Sequence, residues 1–139
     1  MTKSFVNNGA MALKARRPTE SELAILGVLW ERGSGSVRDV QRILNESRPT
    51  GYTTVLKLIQ IMTDKGLVER DESQRPQIYR PRYSQEQTQR QLLRHLLDLA
   101  FAGSVKDLVL QALATKRSSP EELEAIEKLL DRYEGERRK

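Results

Sequence analysis

Read for polarity alone, the chain shows three stretches of helical period, one short stretch that alternates, and then helical period again. Leu23, Leu26 and Trp30 recur at helical spacing, with Ile25 and Leu29 widening the stripe, and predict a first helix. Thr19 followed by Glu22 has the form of a capping box at its start, and Gly33-Ser34-Gly35 ends it. Ser36, with Asp39 in the first turn, predicts a second helix that buries Val37, Val40, Ile43 and Leu44. Beyond the turn Arg48-Pro49-Thr50-Gly51, a third helix is predicted from Tyr52 to Lys65. It turns Val55, either Leu58 or Ile59, and Met62 inward, with Gly66 supplying a left-handed C-cap.

After Gly66 the period changes from 3.6 to 2. Leu67-Val68-Glu69-Arg70 reads as a strand, Asp71 to Pro76 as a polar turn and Gln77-Ile78-Tyr79-Arg80 as the return strand. Pro81 has no amide hydrogen and suits the end of an edge strand. From Ser84 the helical period resumes: Leu92, Leu93, Leu96, Leu97 and Leu99 share a broad apolar face that continues to Ala102, and Gly103 breaks it. Ser104 caps a helix over 105–114, and Ser119-Pro120-Glu121-Glu122 opens a last one with Leu123, Ile126, Leu129 and Leu130 inward.

Three short helices followed by a two-stranded ribbon is the order of a winged helix-turn-helix. The fold class expected is therefore mainly α with a small β-wing: an N-terminal winged helix-turn-helix followed by C-terminal dimerisation helices. Residues 1–17 have no period and read as a disordered tail, 18–83 as the winged unit and 84–139 as the helical dimerisation region.

In such a unit the third helix presents its polar face to a major groove about 12 Å wide while the wing lies along the backbone. Thr53, Thr54, Lys57 and Gln60 cluster on that face, opposite Val55, Ile59 and Met62. An amide can pair with an adenine edge, an ammonium with a guanine edge or phosphate, and threonines with phosphates or a thymine methyl. Tyr52, Thr53, Thr54, Lys57 and Gln60, with Arg70 and Arg75 on the wing, are thus the candidate contacts to double-stranded DNA. The plainer alternative is a solvated helix face, and Arg70 or Arg80 can instead pair with Glu69 or Asp71 across the ribbon.

Charge adds less than its total suggests. The net +5 arises largely from residues 1–18, where Lys3, Lys14, Arg16 and Arg17 meet no acid. Residues 19–83 hold ten basic groups against nine acidic, and 84–139 ten against ten. The absence of cysteine removes disulfides, thiolate metal sites and cysteine catalysis, and fits a reducing cytoplasm. The longest apolar run, Leu23 to Trp30, is too short to span a membrane, and no stretch near the N-terminus has signal-peptide character, so a cytoplasmic location without direct membrane binding is expected. No nucleophile with an adjacent base and no phosphate-binding loop is visible, so neither an enzyme nor a cofactor is expected. His95, the single histidine, lies among leucines without a second ligand and reads as a packing or surface residue, with no metal expected.

The C-terminal apolar surface exceeds what short isolated helices can bury. Leu92, Leu96, Leu99, Val105, Leu108, Val109, Leu113, Ile126 and Leu130 are the candidate homodimer contacts. A monomeric helical hairpin folded back on the winged unit is the alternative. In function, the alternative to DNA binding is a winged-helix module that meets another protein through its exposed helix.

The same residues carry a family resemblance. Pro18-Thr19-Glu20-Ser21-Glu22-Leu23-Ala24-Ile25-Leu26 with Leu29-Trp30, then Gly51-Tyr52-Thr53-Thr54-Val55, Lys65-Gly66-Leu67-Val68 and Tyr79-Arg80-Pro81, resemble the BlaI/MecI penicillinase-repressor family over roughly residues 18–137. The resemblance implies a homodimer that binds a palindromic operator and represses promoters. It also implies a membrane receptor with a protease domain, which senses β-lactam and leads to cleavage of the repressor. Residues 104–113 resemble the cleavage region, with Gln111-Ala112 where studied relatives have Asn-Phe. The copper-sensing branch binds metal through cysteines, which this chain lacks. Ile61 stands where many relatives carry a basic residue, so that position has either lost a phosphate contact or joined the packing.

Overall fold

The computed structural model describes residues 17–138. The expected tail therefore lies outside the described residues, except for Arg17. Among the described residues three helices come first: α1 (Glu20–Arg32), α2 (Val37–Ser47) and α3 (Tyr52–Lys65). A hairpin of β1 (Val68–Asp71) and β2 (Ile78–Pro81) follows, then α4 (Gln85–Ala100), α5 (Val105–Thr115) and α6 (Pro120–Arg138). The architecture is thus mainly helical with one small antiparallel sheet, as the change of period implies.

Local chemistry starts and stops the helices. Thr19 accepts from the Glu22 amide at 3.2 Å while the Glu22 carboxylate accepts from the Thr19 amide at 2.9 Å, so two of the four orphan donors of α1 are satisfied. Ser36 and Asp39 do the same for α2, at 3.1 and 3.0 Å. Gly66, at φ 80° and ψ 19°, ends α3 in the left-handed region, where a side chain would be strained.

The core of the winged unit is built from one face of each of the three helices. Ile25 and Leu29 of α1, Val40 of α2, and Val55, Ile59 and Met62 of α3 are fully buried, with Val68 and Tyr79 joining from the hairpin. Between Leu58 and Ile59, it is Ile59 that turns inward; Leu58 packs at the margin. On α1, Leu23 and Trp30 are only partly buried, and the stripe includes Val28 and the carboxylate of Glu22.

The strands begin and end one residue later than their apolar pattern suggests. Val68 pairs with Pro81, Glu69 with Arg80, Arg70 with Tyr79 and Asp71 with Ile78. On the other side of β2, Tyr79 exchanges both backbone hydrogen bonds with Gly35, at 2.8 and 2.9 Å, so the loop between α1 and α2 pairs with the hairpin.

The described chain forms two compact units, one ending at Leu92 and the other beginning at Leu93, a division that falls within α4. In the second unit, the Leu97 carbonyl accepts from the amides of Phe101 and Gly103, and Ala102 is already left-handed at φ 50°. The helix therefore closes at Ala100 instead of continuing to Ala102. Ser104 caps α5 through the Asp107 amide, and Ser119 caps α6 through the Glu122 amide. Leu96, Leu99, Val105, Val109, Leu113 and Leu130 are all exposed, Leu99 at 72%, while Leu92, Leu108 and Ile126 are half-buried. Among the described residues, no helix is long and apolar enough to cross a membrane.

Candidate nucleic-acid interface

Helix α3 is two-faced. Burying Val55, Ile59 and Met62 forces Thr53, Thr54, Lys57 and Gln60 to the outside, because residues three and four apart share a face; Tyr52, on the side of Val55 but in the first turn, is exposed as well. All five are exposed. The side chains of Thr53, Thr54, Lys57 and Gln60 have no hydrogen-bond or ion-pair partner among the described residues, so two hydroxyls, one cation and one amide are available to a ligand. Ile61 stays outside at 40% exposure, which excludes its having joined the packing.

The turn before α3 is held from behind. The Gln41 side-chain amide donates to the Thr50 carbonyl at 3.0 Å, and the Thr50 amide donates to Asn45 Oδ1 at 2.8 Å. Gly51 then starts α3 with no side-chain cap. At the other end, Lys65 Nζ donates to the buried Glu22 carboxylate at 2.6 Å and to the Arg17 carbonyl at 3.2 Å. Both ends of the exposed helix are therefore tied to the core, and its outer face is positioned before any ligand arrives.

The wing arginines are occupied. Arg70 reaches Glu72 through Nε and Nη2, at 3.0 and 2.7 Å. Arg75 Nη1 donates to the carbonyls of Glu72 and Gln74 in its own turn, and Arg80 pairs across the ribbon with Glu69 at 3.1 Å. The structure brings the five α3 residues together and leaves Arg70 and Arg75 bound within the hairpin. Ser73 and Gln74, donating to Asp71, hold its carboxyl below the usual carboxylate range.

Two cations without an ion pair lie elsewhere, at positions that sequence reasoning passed over. Arg38 and Arg42, one turn apart on α2, are exposed and form no ion pair with any described residue. They border an open groove of about 660 Å³ between α2, the start of α3 and the hairpin, which Tyr52, Leu56 and Gln77 also line. The Arg38 guanidinium sits over the Tyr52 ring, 5.2 Å from its centroid, within range of a cation–π attraction. Below them, the Ser36 amide first, then the Ser36 hydroxyl and the charges of Arg32 and Arg42, hold the Asp39 carboxyl below its ordinary value. The available signal was the i, i+4 spacing of two basic residues on a helix whose other face is apolar.

Gln111 and Ala112 lie inside α5 and are exposed; their carbonyls accept from Thr115 Oγ1 and the Lys116 amide. His95 is half-buried on α4. Among the described residues, no group of three or more histidines and carboxylates is arranged to hold a metal ion.

A family model described as penicillinase repressor matches residues 18–132. No curated protein matches the chain.

Proposed function

The chain belongs to the penicillinase repressor family, whose members are DNA-binding transcriptional repressors and not enzymes, and we propose that it acts as a homodimer on a palindromic operator. The observation that carries this reading is the outer face of α3. Four polar side chains stand exposed and unpartnered on a helix clamped at both ends, which is what direct readout of base edges requires. Arg38 and Arg42 border that helix and serve as phosphate contacts that set its register, while the hairpin, with Arg70 and Arg80 paired to acids and Arg75 held by carbonyls of its own turn, contributes mainly shape.

The pairing of two copies is supported by the second unit. Among the described residues of that unit, eleven large apolar side chains are exposed, and a solvated monomer has no use for such a surface. Two winged units held together read two half-sites, which gives specificity that a single short helix lacks.

The resemblance extends this reading to release by a receptor-linked protease, with 111–112 as the bond cut. Because that bond lies within a hydrogen-bonded helix, cleavage there acts on a locally opened α5 and not on its folded form.

The test is a gel shift on the chain's own upstream DNA across a range of salt. A specific complex that weakens steeply with salt is expected. No specific complex on any genomic fragment, with a protein partner captured through α3 instead, would replace the repressor by an interaction module. A cytoplasmic location belongs to the same reading.

A further inference from the structure

The start of α4 is held by more bonds than a simple linker needs, and all of them lie in the unit that ends at Leu92. Trp30, the chain's one tryptophan, stands in the last turn of α1 and donates its indole N–H to the Tyr83 carbonyl at 2.9 Å, across 53 positions. One residue earlier, the Arg82 amide donates to the Leu67 carbonyl at 3.0 Å, and the Arg82 guanidinium lies against Gly66 at the end of α3. One residue later, Ser84 and Gln87 cap α4 reciprocally at 2.8 and 3.0 Å, and Thr88 in its first turn is only 6% exposed. Residues 82–84 are thus bonded in succession to the start of the hairpin, the end of α1 and the first turn of α4.

Trp30 is the unusual member of this set. It packs at the margin of the core and stays partly exposed, so burial alone does not call for an indole there. What the indole adds is one directional donor on a rigid ring, aimed at the carbonyl just before the cap of α4. An apolar ring would fill the space and leave that carbonyl free to turn.

We propose that Trp30 is a positioning residue: through the Tyr83 carbonyl it fixes the point and angle at which α4 leaves the winged unit, and so restricts the half-site spacing that the dimer accepts. The proposal rests on the dimeric repressor reading above. Arg82, whose amide continues the hairpin ladder to Leu67, fixes the neighbouring position, so the root of α4 is anchored to the hairpin as well as to α1.

The test uses the full chain and duplex DNA built from the half-site that the wild-type protein selects out of random sequence. Half-sites are paired at the preferred spacing and with one or two base pairs inserted. Trp30→Phe is expected to bind the preferred spacing about two- to tenfold more weakly, the range of one missing hydrogen bond. It should also discriminate less between spacings, with binding to a single half-site unchanged. One glycine inserted between Tyr83 and Ser84 should flatten the spacing profile in the same way while leaving Trp30 intact. An unchanged profile in both variants overturns the proposal. So does loss of single half-site binding in Trp30→Phe, since Trp30 would then serve the fold of the winged unit. A wild-type protein that ignores pairing altogether refutes the dimeric repressor reading instead, and hydrogen exchange then decides about Trp30. In Trp30→Phe the amides of Arg82 and Thr88 must exchange faster while those of Val55 and Ile59 keep their protection; equal protection at all four refutes the anchoring role.

Discussion

Lys65, in the last turn of α3, donates to Glu22, in the first turn of α1, across 2.6 Å, with the glutamate side chain only 3% exposed. The same carboxylate also closes the capping box of α1. One buried charge therefore starts one helix and ties down the far end of another, 43 positions away.

Removing Lys65 leaves that charge buried without its counter-ion. Lys65→Met is expected to destabilise the fold by an amount toward the lower end of about 3–5 kcal/mol, since the lysine itself keeps some contact with water. Glu22→Gln combined with Lys65→Met should recover part of the loss. Urea denaturation of the single and double variants checks this; additive losses would contradict the pairing.

Thr54→Ala with Lys57→Ala should weaken operator binding by about 1–3 kcal/mol for each base-edge interaction removed, while the oligomeric state survives. Gel shift and sedimentation, run on the same samples, separate the two effects. Unchanged affinity would move the reading surface off α3.

The arginines divide into two groups with opposite expected effects. Arg38→Ala and Arg42→Ala should each weaken binding to all sequences alike, and each should lower the dependence of log affinity on log salt by about 0.9. Arg70→Ala should change little, because its guanidinium is already committed to Glu72. A large loss from Arg70→Ala would show that the hairpin rearranges on DNA.

The carboxyl of Asp39 is depressed in the folded chain, chiefly by the Ser36 amide, so it binds its proton less readily there than when unfolded. Its contribution to stability is present above its ordinary value of 3.8 and is lost as pH falls through the lower folded value. Asp39→Asn, which cannot titrate, should show a shallower loss of stability in that acid range. Thermal melts between neutral pH and about pH 3 read the difference.

Leu99→Asp with Leu130→Asp places charge on two of the most exposed apolar positions in the second unit. The pair of substitutions should shift the protein to monomer and leave the melting of the winged unit unchanged. Sedimentation velocity follows the first effect and near-ultraviolet dichroism of Trp30 the second. A persistent dimer would place the interface elsewhere.

The features that could be read from the sequence are those that neighbouring residues encode. Thr19 with Glu22, Ser36 with Asp39, Gly66 after Lys65 and the change of period at Leu67 each announce themselves within a few positions, and each is found in the fold. The outward set on α3 could be read for the same reason, since it is what remains once the apolar stripe is assigned. What escaped notice joins residues far apart along the chain. The bonds of Trp30 to Tyr83 and of Gly35 to Tyr79 engage backbone atoms that every residue carries, so no side-chain pattern advertises them. For the wing, the sequence left two readings open, and the fold shows the paired one: Arg80 meets Glu69 across the ribbon, while Arg70 takes Glu72, two positions on.

The pairing of Gly35 with Tyr79 changes what kind of object the hairpin is. Two strands of four residues are marginal by themselves in water, and an appendage of that size would open and close on its own schedule. Gly35 gives β2 a neighbour on its second side, and Tyr79 carries that strand into the core at 3% exposure. The hairpin consequently belongs to the cooperative unit of the three helices: it melts when they melt, and its shape is inherited from the stability of the whole winged fold.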